Sequence, residues 1–106
     1  MGAQALALIA DPRLAALFGP GSRAETGLRA TLPGGEIVAG RVDRVLIGGD
    51  EILVGDVKSG GASEAGRHVE QMRLYARALA AIHPGKRVRA LLIFAGDGGV
   101  VEVEGA

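Results

Sequence analysis

The chain has 106 residues, 12 Lys+Arg against 12 Asp+Glu, 18 Gly, 4 Pro and no Cys. That length supports one core, and 48% hydrophobic with 23% charged residues is the make-up of a folded globular chain rather than a disordered one. Zero formal net charge requires any nucleic-acid-binding surface to be local, and the lack of Cys excludes disulfides, thiolate zinc sites, a cysteine nucleophile and iron–sulfur clusters.

No apolar run approaches the ~20 residues of a membrane span. Ala5 to Ala10 lacks a basic leader and meets Asp11-Pro12 at once, so it reads as helix, and the expected compartment is the cytoplasm. Residues 3–18 carry Leu6, Ile9, Leu14, Leu17 and Phe18 among alanines, a helical pattern. Asp11-Pro12 within it reads as a cap followed by Pro at the first helical position, which predicts two short helices or one kinked one. Gly19-Pro20-Gly21 ends the pattern. Residues 23–32 alternate as a strand, with Thr26, Leu28, Ala30 and Leu32 on one face. Pro33-Gly34-Gly35 then turns the chain. Residues 36–47 and 51–58 are strands rich in Val, Ile and Leu, joined at Gly48-Gly49-Asp50. A loop from Gly60 leads to Ser63, a candidate helix cap, and a helix is predicted over about 64–83, stopping at Pro84-Gly85. The continuous run Ala90 to Phe94 within residues 87–95 is expected of a strand buried on both faces, and residues 100–104 form a short last strand. The order α-β-β-β-α-β-β predicts a mixed sheet with helices packed on it, in a single domain over residues 1–106.

The chemistry concentrates in Gly40-Arg41-Val42-Asp43-Arg44 and Val54-Gly55-Asp56-Val57-Lys58. A two-residue loop at Gly49-Asp50 makes paired residue numbers sum to 99, so Asp43 faces Asp56. A loop at Gly48-Gly49 makes Asp56 a diagonal neighbour on the same face instead. A three-residue loop without a bulge puts the two acids on opposite faces. Lys58, two residues beyond Asp56, returns to the same side. Opposed carboxylates repel, and the natural compensation is a divalent cation, Mg²⁺ or Mn²⁺, held by few oxygen ligands with room for water. Asp-x-Lys alone is a weak signal, and an exposed strand-end pair with no role competes with this reading. Gln71 and Tyr75 lie one helical turn apart on one face, where an amide and a hydroxyl can bond a phosphate or a base edge, or buttress the site.

Gly40-Arg41-Val42-Asp43, Asp56-Val57-Lys58 and Gln71-Met72-Arg73-Leu74-Tyr75, in that order, resemble the GxxD, (D/E)xK and QxxxY motifs of the RecB-like branch of the PD-(D/E)XK nuclease superfamily. The flanks Leu17 to Glu25 and Leu79 to Gly85 are similar to the C-terminal nuclease domain of AddA-type helicase–nucleases of double-strand-break repair. The resemblance implies a restriction-endonuclease-like αβββαβ core with a small extra edge strand. It implies that Asp43 and Asp56 are metal ligands, with the Val57 backbone carbonyl a possible third, and that Lys58 is the catalytic lysine. Gln71 and Tyr75 become site-supporting or DNA-contacting, with Arg73 beside them. Glu25 falls where many relatives carry a Glu on the first strand, either approaching the metal or facing solvent.

Relatives place a GxxxH-type motif on an upstream helix, so the expectation is a truncated core lacking it. His68 and His83 do not occupy that position. His68 is expected by the site mouth and His83 at the helix end. Pro84-Gly85-Lys86-Arg87 is not a P-loop, so helicase motifs are absent.

The function this implies is a Mg²⁺- or Mn²⁺-dependent deoxyribonuclease (exonuclease) module. It would act on single strands or duplex ends of DNA, beside a helicase domain and a second nuclease subunit. The alternatives are a catalytically weak DNA-end-binding or docking domain and a small sheet domain with no site. Ten Arg against two Lys favour bidentate phosphate contacts, with Arg41, Arg44, Arg67, Arg73 and Arg77 near or after the motifs.

Overall fold

The computed structural model describes residues 11–103. The predicted helical stretch 3–10, with Leu6 and Ile9, lies outside the described residues. Helix α1 (Pro12–Leu17) begins as the sequence implies: the Asp11 side chain accepts from the Arg13 N–H and Pro12 opens the first turn. Strands β1 (Arg23–Thr31), β2 (Ile37–Ile47) and β3 (Glu51–Lys58) form an antiparallel meander. Helix α2 (Val69–Ile82) carries the chain over to β4 (Arg87–Phe94), which runs parallel to β3, and β5 (Val100–Val103) closes the edge. The five strands lie in sequence order in one mixed sheet.

The predicted single helix over 64–83 is two pieces. Residues Ala62–Arg67 form a 3-10 helix capped by Gly61, not Ser63, and α2 starts only after His68. Glycines at 60, 61 and 66 disfavour an α-helix there, and i→i+3 bonds (Glu64 N–H to Gly61 O at 3.0 Å, His68 N–H to Ala65 O at 2.9 Å) are what the segment makes instead. The far end is as expected: His83 caps α2, and Gly85 takes a positive φ of 86°.

β4 shows why its apolar run is continuous. Ala90, Leu92 and Phe94 pack with Met72, Ala76 and Leu79 of α2, while Leu91 and Ile93 pack with Leu14 and Leu17 of α1. Alternation therefore serves two cores, one per face. Each fully buried aliphatic side chain contributes about 1.5–3 kcal/mol of transfer free energy. On the α1 side a side chain at Gly55 would collide with Leu17, so only glycine lets that helix sit so close. Among the described residues no helix is long and apolar enough to cross a membrane.

Candidate active site

The register of the β2–β3 hairpin decides whether the acids meet. Arg44 pairs with Gly55, Val45 with Val54, Leu46 with Leu53 and Ile47 with Ile52, each pair summing to 99. The loop is thus Gly49-Asp50, closed by the Gly48 N–H donating to the Glu51 carbonyl at 2.8 Å. Of the registers open at the sequence level, this is the one that directs Asp43 at Asp56.

A local irregularity completes the arrangement. Val42 and Val45 both bury in the core under α2 although they are three residues apart, so the alternation of β2 skips between them. The facing strand distorts with it: Ala24 pairs with Arg44 and Thr26 with Val42, and Glu25 between them has a φ of 46°. Glu25 is the one described non-glycine residue in that strained region. Across the skip, Arg44 goes to the α1 side and Asp43 to the α2 side. The Arg44 Nε donates to the Leu17 carbonyl at 3.3 Å, its Nη2 donates to Ser22 Oγ at 2.6 Å, and its guanidinium lies 5.2 Å from the centre of the Phe18 ring. Arg44 therefore ties α1 to the sheet, which corrects its expected place among phosphate-binding arginines.

Asp56 is the one buried charged side chain among the described residues, 7% exposed. Burial pushes its carboxyl above the ordinary aspartate range. Lys58 opposes that shift, and the hydrogen-bonded, like-charged Asp43 reinforces it. Lys58 Nζ lies 2.6 Å from Asp56 Oδ2. Asp43 Oδ2 accepts the Val57 N–H at 2.6 Å, so the backbone between Asp56 and Lys58 helps to orient the second acid. From Lys58 a polar row continues onto α2: Nζ reaches Gln71 Oε1 at 3.5 Å, and Gln71 Nε2 donates to the Tyr75 hydroxyl at 3.3 Å. The ring of Tyr75 lies over Gly40, where an added Cβ would sit 2.5 Å from its hydroxyl oxygen. The glycine of the first motif is thus the floor on which the tyrosine of the third rests.

The structure therefore gathers Asp43, Asp56, the Val57 backbone, Lys58, Gln71 and Tyr75. Glu25 is exposed beside them, and no group of three His, Asp or Glu side chains converges among the described residues. Arg73 pairs with Glu70 at 3.0 Å and Arg67 with Glu64 at 3.4 Å, while Arg41 and Arg77 are exposed. His68 sits at the start of α2 with its ring 6.3 Å from that of Phe94, the residue paired with Lys58 across the sheet, and His83 sits at the helix end. Sequence reasoning missed Asp97, in the β4–β5 turn, whose carboxylate accepts the Ala62 N–H at 3.1 Å. Its Asp-Gly-Gly setting signals a turn but not the segment the turn grips.

Two hard carboxylates, one of them reluctant to ionise beside the other, are a donor set that fits Mg²⁺ or Mn²⁺ with several retained waters. A divalent cation would offset both the burial that raises the Asp56 carboxyl and the Asp43 charge that adds to it.

A mixed sheet with a helix on each face, and acids and a lysine at the end of its central hairpin, defines an α+β protein with a restriction-endonuclease-like core. The family model of the PD-(D/E)XK nuclease superfamily matches residues 6–105, and the chain belongs to that superfamily. Among solved structures, one described as "Crystal structure of SSO0001" is similar with a TM-score of 0.52 and 16% sequence identity, covering 76% of this chain and 39% of that one. At that identity the likeness concerns the fold, and this chain spans about two-fifths of the length of that structure. No curated protein matches the sequence.

Proposed function

We propose that the chain is a metal-dependent DNA nuclease domain of the RecB-like kind, a module of a helicase–nuclease such as the AddA type. The observation that carries this reading is the convergence of two acids and one ammonium, with Lys58 Nζ 2.6 Å from the buried Asp56. Asp43 and Asp56, with the Val57 carbonyl as a third donor, would hold Mg²⁺ or Mn²⁺. When bound, the cation lowers the pKa of a coordinated water and balances charge on a phosphodiester oxygen. Lys58 orients that water or stabilises charge developing on the phosphate. Gln71 keeps the ammonium on the acid side, and Tyr75 keeps Gln71 in place. Both also line an open groove of about 390 Å³ between α2 and residues 36–39 at the start of β2, on which we place the path of a DNA strand toward the acids. Glu25 and Arg73 belong to the same proposal as DNA-contacting or site-supporting residues. A helicase domain, a second nuclease subunit and a cytoplasmic location belong to the same proposal, as does a single nuclease core over residues 1–106.

The second reading is a DNA-end-binding or docking domain with weak catalysis. It is favoured by the lack of a third acidic or imidazole donor at the acid pair among the described residues. Cleavage of single-stranded and duplex DNA in Mg²⁺ or Mn²⁺ separates the two. Wild type should cut, and Asp56→Ala or Lys58→Ala should lose about 10²–10³-fold in kcat. Equal residual cleavage by wild type and variants rules out catalysis at this site. Salt-sensitive DNA binding without cleavage leaves only the second reading.

A further inference from the structure

Lys58 and Gln71 are joined by a segment, residues 59–68, that contains three glycines and no buried side chain. A glycine-rich connector would leave the ammonium and the amide poorly placed relative to each other unless something outside it held it. The β4–β5 turn does so at three successive points. The Ala95 N–H donates to the Lys58 carbonyl at 2.9 Å, the Gly96 N–H to the Gly60 carbonyl at 2.9 Å, and the Ala62 N–H to Asp97 Oδ2 at 3.1 Å. The other oxygen of Asp97 accepts the Gly99 N–H of its own turn at 2.9 Å. One carboxylate thus locks the turn and fastens it to the start of the 3-10 helix. Both bonds hold the Asp97 carboxyl below its ordinary range.

The two loops meet without spare room. A Cβ on Gly96 would strike the Gly60 carbonyl, one on Gly61 would lie 2.8 Å from Asp97 Oδ2, and one on Gly99 would lie 2.7 Å from the Ala62 Cβ. Interlocking backbones of this kind hold a segment in place only while every partner is present. Asp97 contributes a side-chain carboxylate that bonds both loops of the clasp.

We infer that Asp97 is a positioning residue for the proposed nuclease site, setting Lys58 and Gln71 against Asp56 through the segment between them. The inference rests on the nuclease reading for its kinetic consequence but not for its structural one, so two measurements test it. The first is the NMR position of the Gln71 side-chain amide pair, which needs no activity. In Asp97→Ala, and in Gly99→Ala, which crowds the clasp without removing a charge, that pair should move toward the values of a solvated glutamine. Exchange of the Ala95 and Gly96 amides should speed by at least about tenfold while that of Leu92 in the core is unchanged. The second is kinetic: kcat should fall about tenfold with KM for DNA changed by less than about twofold, since misplacement by an ångström can cost 10²-fold. Asp97→Asn keeps one acceptor oxygen and should recover part of both effects.

An unmoved Gln71 amide in both alanine variants overturns the inference whether or not the wild type cleaves. So does a kinetic loss that follows melting temperature alone and is not restored by asparagine. A wild type that cuts nothing defeats the nuclease reading, and the amide measurement then decides the positioning role by itself.

Discussion

The two faces of the sheet carry charge in opposite ways. On the α1 face the charges close on one another. Arg89 donates to Glu102 at 2.7 Å and to Glu51 at 3.1 Å, while Arg13 bonds Asp11 at 2.8 Å and reaches Glu102 at 3.5 Å. Those partners push Arg89 above its ordinary range and hold Glu102 and Asp11 below theirs. On the α2 face, Lys58 pairs with Asp56 while Asp43 bonds the Val57 N–H, and burial pushes Asp56 up with Asp43 adding to the shift. The difference teaches which cluster serves stability and which is poised for chemistry. A part-exposed network in which every acid touches an arginine lowers the energy of the folded state, whereas a buried acid set against a second acid raises it and is retained where a ligand answers it.

The largest effect that tests this contrast is catalytic. Asp56→Ala should lower kcat by about 10²–10³-fold, and Glu102→Gln should leave kcat within about twofold, both read in the same DNA assay. An equal loss in both variants would erase the distinction between the faces. Next is the response to metal. Mg²⁺ at about 100 times its Kd should raise wild-type stability by about 2.7 kcal/mol in thermal melting, and a variant with Asn at both 43 and 56 should show no rise.

The pH dependence should have opposite signs on the two faces. The Asp56 carboxyl is raised on folding, so its contribution is complete below the unfolded value of about 3.9 and is lost as pH climbs through the folded value. Glu102 is depressed, so its contribution is present above about 4.3 and is lost as pH falls through its folded value. Urea titrations at stepped pH should show Asp56→Asn removing the loss on the alkaline side and Glu102→Gln the loss on the acidic side. Arg89→Met leaves Glu51 and Glu102 without their shared partner. After discounting for their exposure it should cost about 1 kcal/mol in the same titrations, with kcat unchanged. The smallest effect is at Glu25, where glycine relieves the φ of 46° and should stabilise by up to about 1 kcal/mol.

The sheet was legible because each strand declared its own burial. The run Ala90 to Phe94 announced a strand covered on both sides, and the alternation of Leu28, Ala30 and Leu32 announced one covered on a single side. The pairing of the acids was legible only as one of several registers, since Gly48-Gly49-Asp50 accommodates turns of different length and backbone contacts choose among them. The skip at Asp43 could not be read, because Val42 and Val45 look like any two strand valines until their shared cluster is seen. The breakup of the predicted long helix was signalled by the glycines at 60, 61 and 66, whereas the grip of Asp97 on Ala62 was hidden because it is a contact between loops 35 residues apart. Local propensity carries no information about such a contact. Arg44 failed in the other direction, since proximity in sequence to Asp43 suggested a shared task that the strand geometry divides between faces.

The Gly49-Asp50 turn lies six positions from each acid along its strand, yet it governs whether they can cooperate. One residue inserted there and taken up by the ladder, with no bulge or longer loop to absorb it, would slide β3 against β2 by a single step and carry Asp56 and Lys58 to the side occupied by α1, leaving Asp43 behind. Two residues inserted as a further rung of the ladder would restore the facing. Where the ladder rather than the loop takes up the extra length, variation at this tip is therefore tolerable in even steps, a rule of parity imposed on a surface turn by chemistry that it does not touch.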